Sequence, residues 1–337
     1  MTDLRPWTRR AALGGGLAAA GLATTPIRAR SSGWGQVAEA ARRLDQLHAI
    51  LVAQGGETVL AEAPRGPGLD RAANVKSVSK TIVALLTGIA IDRGAIPGVR
   101  ARLGEIAPRL IPQGADPRVA ALTVEDLVTM RAGLERTSGP NYGAWVASGN
   151  WVADALSRDF VAEPGGRMLY STGSFHVLGA ALSAATGRSL LDLARDWLAD
   201  PLDIAIPPWT RDPQGRYMGG NEMALSPRAL LRIGEMVRQD GVWNGTRVVG
   251  ADWLSRSFEP RARSPWSGLG YGYGWFLGGQ GADRFALARG YGGQILCVVP
   301  GRAITVAITS DPTRPARSEG YFGDLMDLIR GPVLAAA

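Results

Sequence analysis

An apolar run over residues 82–91, IVALLTGIAI, determines much of what this chain can become. As a helix it has apolar side chains on nearly every side, so it has to be buried all round. The rest of the chain must therefore surround it. With 337 residues the chain is long enough to do so, as one large domain or as two interlocked ones. Asp92, Arg93 and Gly94 mark the predicted end of the helix.

Elements of both kinds are predicted around this helix. Before it, apolar periodicity predicts a helix and two strands, over residues 37–48, 49–54 and 58–63. After it, helix signals predominate; helices are predicted over residues 150–158, 174–186 and 190–199, with helix starts at Thr123 and Ser226. The C-terminal part returns to extended chain, over residues 270–275, 284–288, 294–299 and 303–309, before a closing helix over residues 323–330.

This order predicts an α/β (α+β) fold. An antiparallel sheet is formed from both chain ends and flanked by helices, and an all-helical domain is inserted into it. The predicted α/β domain comprises residues 34–98 and 224–337, and the inserted domain comprises residues 99–223.

Residues 1–30 have the pattern of a twin-arginine signal peptide, with Arg9-Arg10 before a weakly apolar run over residues 11–23. The run is too short and too poor in large side chains to span a membrane, so no stable membrane insertion is expected after the signal is removed. The pattern predicts export to a bacterial periplasm or the exterior; a disordered basic tail is the alternative. Because residues 1–30 carry +4 of the net charge of +7, nucleic-acid binding is not predicted.

The chain offers little for metals, disulfides or cofactors. Cys297 is the single cysteine, which rules out an intrachain disulfide, and its apolar neighbours predict a buried strand. With only His48 and His176 besides, no metal site is predicted. His48 is expected at a helix end, and His176 either packs in a helix or lines a site. The glycine-rich stretch 290–293 lies between strands, so no phosphate-binding loop and no cofactor are predicted.

Only two of the 37 Lys and Arg residues are lysines, and these two, Lys76 and Lys80, flank Ser77 at the head of the apolar helix. A serine hydroxyl needs a base close by to act as a nucleophile. The i, i+3 spacing puts Ser77 and Lys80 on one helix face, and burial would lower the pKa of Lys80 until its amine accepts a proton. Arginine stays protonated and cannot do this. Lys76 would lower that pKa further but has no other assigned role; chance survival of both lysines on a solvated loop is the alternative.

Four stretches in order resemble one family, the serine β-lactamases and penicillin-binding proteins. Residues 77–80 (SVSK) resemble its S-x-x-K motif, and residues 122–134 (LTVEDLVTMRAGL) resemble a segment of its class C branch. Residues 164–179 resemble the Tyr-x-Asn region of that branch, and residues 270–276 and 289–294 its C-terminal strands. The class C branch fits best, with its esterase and 6-aminohexanoate-dimer hydrolase relatives. The resemblance covers most of the chain from about residue 49 onward and implies the same α/β fold with a helical insertion.

The resemblance also implies roles for individual residues. Ser77 would be the nucleophile that forms an acyl-enzyme, and Lys80 the base that activates it. Tyr170 would relay protons to the leaving group and help to activate water. The backbone N–H groups of Ser77 and Tyr291 would form the oxyanion hole. The implied substrate is a small ester or amide, and no cofactor is implied.

Two positions depart from the motifs of the family. Thr172 stands where the second motif of lactamases has Asn, and Ala288-Arg289-Gly290 stands where the third has Lys-Thr-Gly or His-x-Gly. The cation missing at Ala288 would normally help to hold the carboxylate of a penicillin. Arg289 is a possible replacement, but strand alternation is expected to point it to the other face. The departures favour an esterase or amidase with less anionic substrates over a true β-lactamase or D-alanyl-D-alanine carboxypeptidase.

Five residues are candidates for substrate binding: Tyr142, Trp145, Asn221, Arg289 and Gly290. The aromatic rings among them could line an acyl pocket over the serine, although packing in the helical core is an equally good interpretation. From another class, the alternative function is a non-catalytic protein of the same fold that binds cell-wall peptides. The intact serine, lysine and tyrosine disfavour it. Substrate identity and oligomeric state are left open.

Overall fold

A computed structural model describes residues 28–337, so residues 1–27 of the predicted signal peptide lie outside the described residues. The strands are β1 (Leu47–Gln54), β2 (Glu57–Glu62), β3 (Ala73–Lys76), β4 (Met223–Leu225), β5 (Val242–Trp243), β6 (Thr246–Arg247), β7 (Ala262–Arg263), β8 (Gly270–Tyr271), β9 (Phe276–Gly278), β10 (Phe285–Gly290), β11 (Gln294–Val299) and β12 (Ile304–Ser310). The α-helices are α1 (Arg28–Arg43), α2 (Val78–Asp92), α3 (Leu103–Ile106), α4 (Arg118–Ala121), α5 (Val124–Val128), α6 (Tyr142–Val146), α7 (Trp151–Leu156), α8 (Thr172–Thr186), α9 (Leu190–Ala194), α10 (Asp200–Leu202), α11 (Pro227–Arg238), α12 (Ala251–Ser257), α13 (Tyr321–Leu328) and α14 (Leu334–Ala336). Across residues 28–337, none of these helices combines the length and the apolar character that a membrane crossing needs.

Of these strands, eight form one antiparallel sheet in the order β2-β1-β12-β11-β10-β9-β8-β7. β1 lies beside β12, with Ile50 opposite Ile308, so the two ends of the described chain meet in neighbouring strands. β10, β11 and β12 follow one another as antiparallel neighbours. The predicted antiparallel sheet built from both chain ends and flanked by helices is thereby confirmed.

Helix α2 is buried as its sequence requires, and residues 78–90 all belong to the interior. It packs against β10 and β11 of the sheet on one hand and against α8 on the other. Gly274 allows this packing, because a Cβ there would lie 2.5 Å from the Cβ of Ala84. Its φ of +79° also lies in the left-handed region that favours glycine.

Two local predictions were wrong. The predicted helix over residues 37–48 ends at Arg43, and His48 lies on β1. The reason is tertiary, because Leu47 already pairs with Ser310 of β12. The extended stretch over residues 270–275 divides into β8 and β9 around Gly274. The predicted boundaries of the inserted domain stay a prediction. The strand β4, which begins at the last residue of that predicted domain, pairs with β3, directly ahead of Ser77.

Candidate active site

Ser77 lies where the chain passes from β3 into α2. It occupies the N-cap position of α2, but its hydroxyl makes no capping hydrogen bond. The hydroxyl can therefore interact with other groups. The residue before it, Lys76, has a φ of +50°, which costs a side-chain-bearing residue on the order of 1 kcal/mol. Ser77 lines a cleft of about 550 Å³.

Lys80 reaches the serine from within α2. Its Nζ lies 3.0 Å from Oγ of Ser77, as the i, i+3 spacing predicted. The same Nζ donates to the carbonyl oxygen of Gly220 at 2.7 Å and lies 3.2 Å from Oγ1 of Thr172. The side chain is 2% exposed, and burial lowers the pKa of Lys80 to about 7. The amine is therefore neutral in a large fraction of molecules near pH 7.

Lys76 forms an ion pair and is not needed to lower the pKa of Lys80. Its Nζ lies 3.0 Å from Oε1 of Glu222, and Asn74 donates to Oε2 of the same carboxylate at 2.6 Å. The lowered pKa of Lys80 has burial as its cause, so the suggested contribution of Lys76 is not needed. Through Glu222, Lys76 instead joins the strand before Ser77 to the segment that follows Gly220.

Tyr170 lies beside the serine and the lysine. Its ring centroid is 4.9 Å from Nζ of Lys80, and Phe276 stacks on it at 6.4 Å. Trp266 packs edge-on against the same ring at 6.1 Å. Burial raises the pKa of Tyr170, while interaction with the Ser77 hydroxyl and the positive charge of Arg289 oppose that rise.

The two proposed oxyanion donors flank the serine from different parts of the chain. In the described part of the chain, neither the backbone N–H of Ser77 nor that of Tyr291 donates to another protein group. Tyr291 follows β10, and its side chain is 52% exposed at the rim of the cleft. Gly290 is required beside it, because a Cβ there would lie 2.4 Å from the carbonyl oxygen of Val75. The missing side chain lets β10 approach β3, the strand that precedes Ser77.

Arg289 lines the cleft, which the alternation argument did not expect. Ala288 is buried and does not line the cleft, so the error was to take the face of Ala288 as the cleft face. The guanidinium lies 3.5 Å from the ring centroid of Phe322 and donates to Ala316 O at 3.3 Å and to Oγ of Ser318 at 3.2 Å. Among residues 28–337 it has no acidic partner within salt-bridge distance. Burial lowers the pKa of Arg289.

Of the remaining candidates for substrate binding, two line the cleft and one does not. Tyr142 and Asn221 line the cleft, and Nδ2 of Asn221 donates to the Tyr142 hydroxyl at 2.9 Å. Trp145 does not line it: the side chain is fully buried, and its Nε1 donates to Trp151 O at 2.8 Å. The placement of Trp145 in an acyl pocket was therefore wrong, and the alternative of core packing holds.

Some cleft residues were missed by the sequence reasoning: Ser138, Glu222, Ser264, Trp266 and Phe276. Most of them lie in loops or short strands whose sequences carry no periodic signal. Thr172 takes a defined place in the site, with Oγ1 also 2.9 Å from Oγ of Ser138. No group of three His, Cys, Asp or Glu side chains within residues 28–337 is arranged to hold a metal ion.

One family model and several solved structures match this chain. The family model described as Beta-lactamase matches residues 40–327. Among solved structures, a putative 6-aminohexanoate-dimer hydrolase from Bacillus anthracis has 14% sequence identity and a TM-score of 0.70, over 86% of this chain and 79% of that one. EstCE1, a hydrolase with promiscuous acyltransferase activity, has 17% identity and a TM-score of 0.73, over 90% and 99%. A family VIII carboxylesterase has 16% identity and a TM-score of 0.68, over 90% and 97%. The comparison with curated proteins gave no significant match.

Proposed function

Since this chain belongs to the beta-lactamase family, we propose that it is a serine hydrolase that cleaves small carboxylic esters or amides through an acyl-enzyme. One observation carries the proposal. The Ser77 hydroxyl lies 3.0 Å from a buried lysine amine whose pKa is about 7. A nucleophile with a base of this pKa at hydrogen-bond distance is what acyl transfer at neutral pH requires.

The proposed reaction has two steps. In acylation, neutral Lys80 takes the proton of Ser77, and Oγ forms a bond to the substrate carbonyl carbon. The N–H groups of Ser77 and Tyr291 stabilise the oxyanion. As the bond to the alkoxide or amine breaks, the proton passes from Lys80 through Tyr170 to the leaving group. In deacylation water attacks the carbonyl carbon of the acyl-enzyme, and its proton passes through Tyr170 to Lys80. As the bond between that carbon and Oγ breaks, Lys80 returns the proton to Oγ, which restores the Ser77 hydroxyl and releases the carboxylic acid.

The cleft favours substrates with an apolar part. Tyr142, Trp266 and Phe276 supply aromatic walls around the serine. Ala288 offers no cation, and Thr172 replaces an amide side chain with a hydroxyl. These features support the esterase or amidase over the true β-lactamase or D-alanyl-D-alanine carboxypeptidase.

One observation favours that second candidate. The guanidinium of Arg289 faces the cleft without an acidic partner among the described residues, so it is available for a negative charge on the substrate. It would take over the task of the missing cation at Ala288. Substrate preference between esters and penicillins is therefore the property to measure.

We expect wild-type protein to gain the mass of one fluorophosphonate adduct and to hydrolyse p-nitrophenyl butyrate much faster than benzylpenicillin. Intact-protein mass spectrometry and initial rates give both results. Fast penicillin turnover would make the β-lactamase the better assignment. A folded wild-type protein that forms no adduct would instead favour the non-catalytic binding protein.

Tyr170→Phe is expected to lower both the acylation rate and the deacylation rate by about 10²–10³-fold, because the proton relay is lost. The ring contacts with Phe276 and Trp266 do not involve the hydroxyl, so the fold should persist. Stopped-flow bursts with p-nitrophenyl butyrate separate the two rates. Tyr291→Phe is the matched control: it removes the same hydroxyl but keeps the backbone N–H, and should have near wild-type rates. Equal kinetics in both variants would exclude Tyr170 as the relay.

The proposed place of action is the bacterial periplasm or the exterior. This rests on the twin-arginine pattern of residues 1–30 in the sequence. The proposed partner is the small-molecule substrate, without a cofactor or a nucleic acid.

A further inference from the structure

We propose that His176 and Asp212 are positioning residues that hold Lys80 in place through the segment of residues 218–222. The proposal rests on the proposed function, in which Lys80 is the base. Buried hydrogen bonds, together with the backbone between Gly219 and Gly220, connect the three side chains. The direction of each hydrogen bond is known, because a backbone N–H can only donate and a carboxylate can only accept.

The chain begins at a buried imidazole. Nε2 of His176, on α8, lies 3.1 Å from Oδ2 of Asp212, and both side chains are fully inaccessible to solvent. The backbone N–H of Gly219 donates to Nδ1 of His176 at 3.3 Å. Because Nδ1 accepts, the ring proton must be on Nε2, which donates to Asp212. Burial lowers the pKa of His176, which keeps the ring neutral in this tautomer.

The carboxylate is fixed in turn by its own loop. Oδ1 of Asp212 accepts from the backbone N–H groups of Gln214 at 2.9 Å and Arg216 at 2.8 Å. Oδ2 faces the neutral His176 ring, and Nη1 of Arg216, at 3.4 Å, is its charged neighbour. The two oxygens thus have different roles, since only Oδ2 can receive the imidazole proton.

The other end of the chain reaches both lysines. Gly220, next to the residue that His176 holds, accepts from Nζ of Lys80 at 2.7 Å. Glu222, two residues further on, pairs with Lys76 at 3.0 Å. The segment leaves no room for a side chain at Gly219, because a Cβ there would lie 2.2 Å from Phe175 O. Its position is therefore set directly by α8, the helix that carries His176.

A purely space-filling role does not account for this arrangement. Burying a carboxylate and an imidazole costs free energy that an apolar pair of the same volume would avoid. Without an acceptor at Nδ1, the buried N–H of Gly219 would lose its partner, at about 1–3 kcal/mol. Relief of that loss requires Gly219 to move, and the carbonyl of Gly220 moves with it.

Asp212→Asn tests the chain without a change of shape. The two backbone donors at Oδ1 require the amide oxygen there, so the amide nitrogen takes the place of Oδ2 and faces Nε2. The imidazole must then accept at Nε2 and carry its proton on Nδ1, against the N–H of Gly219. We expect kcat for p-nitrophenyl butyrate to fall about 10–100-fold, with KM changed by less than about twofold.

Two measurements do not depend on turnover. The chain has two histidines and two lysines, so residue-selective labelling gives few resonances. In 15N-histidine spectra, His176 should change from the Nε2–H to the Nδ1–H tautomer in Asp212→Asn. In 13Cε-lysine titrations, the midpoint of Lys80 should move by about half a pH unit or more, because its carbonyl acceptor has shifted. Around Lys80 the cleft also holds Tyr170, Arg289 and the Lys76–Glu222 pair, which the substitution leaves unchanged.

Exposed Asp203→Asn is the control and should match wild type in every readout. His176→Phe, which has no acceptor, should displace the Lys80 midpoint, and His176→Gln, which can accept and donate, should restore it. An unchanged tautomer in Asp212→Asn, or an unmoved Lys80 midpoint in both Asp212→Asn and His176→Phe, would overturn the proposal. If wild-type protein forms no fluorophosphonate adduct, the hydrolase assignment fails, but these titrations still decide whether the dyad positions Lys80.

Discussion

Ser77→Ala is expected to lower kcat for p-nitrophenyl butyrate by about 10⁴-fold or more and to abolish the fluorophosphonate adduct. The loss is this large because no acyl-enzyme can form without Oγ, and only binding and the oxyanion donors remain. Stability should change little, by less than about 1 kcal/mol. The Ser77 hydroxyl makes no capping hydrogen bond to α2, so its removal leaves no helix N–H unsatisfied.

Ser226→Ala provides the matched control with the opposite outcome. Ser226 caps α11, and its Oγ accepts from the N–H of Ala229 at 3.1 Å. The same substitution there should cost about 1 kcal/mol of unfolding free energy and leave turnover near wild type. Chemical denaturation and initial rates on both variants separate the two effects. Substantial turnover by purified Ser77→Ala would remove Ser77 from the mechanism.

Lys80→Met is expected both to abolish turnover and to raise the stability of the fold. Lys80→Met removes the base, so kcat should fall by about 10³-fold or more, and Lys80→Arg should be nearly as inactive because a guanidinium stays protonated. In wild type, kcat/KM should rise with pH through about pH 7 as Lys80 loses its proton. A fully active Lys80→Arg enzyme would refute the lysine base.

The stability effect follows from the lowered pKa. Folding moves the pKa of Lys80 from 10.5 to about 7, so between these values the unfolded chain binds more protons than the folded one. Stability therefore rises with pH across this window, by about 5 kcal/mol in total, and the penalty reaches its full size only below pH 7. Lys80→Met escapes the penalty but leaves the carbonyl of Gly220 without a partner, at about 1–3 kcal/mol.

The net expectation for Lys80→Met is a gain of about 2 kcal/mol at pH 7, which shrinks towards pH 10.5. Urea unfolding at several pH values measures both the gain and its pH dependence. A variant that is less stable than wild type at pH 7, or equally shifted at every pH, would show that Lys80 is not held with a lowered pKa.

The sequence predicts the parts of this site that are local. Ser77 and Lys80 lie within one helix turn of each other at the start of the apolar helix α2. Helical periodicity therefore places their side chains together. The capping box at Thr123 is local in the same way: its Oγ1 and the Asp126 carboxylate hold each other's backbone N–H groups.

Features of the site that depend on tertiary packing could not be predicted from the sequence pattern. Alternation separates Arg289 from Ala288, but which side of β10 becomes the cleft is decided by what packs on the sheet. Trp145 belongs to the core because Trp151 and His176 pack on its ring, at 5.3 and 5.8 Å between centroids. Trp266 lies in a loop, and only the folded chain brings it to Tyr170.

The strand order has a consequence for folding during synthesis of the chain. Residue 77 is made early, but one of the two neighbours of β1 in the sheet is β12, the last of the described strands to be synthesised, and Tyr291 also comes late. Pairings between such distant segments close slowly, since long loops must be ordered first. A nascent polypeptide would thus carry its serine and lysine without reactivity through most of translation. Catalytic competence would arrive in one late event, when the C-terminal strands dock beside a hairpin made hundreds of residues earlier.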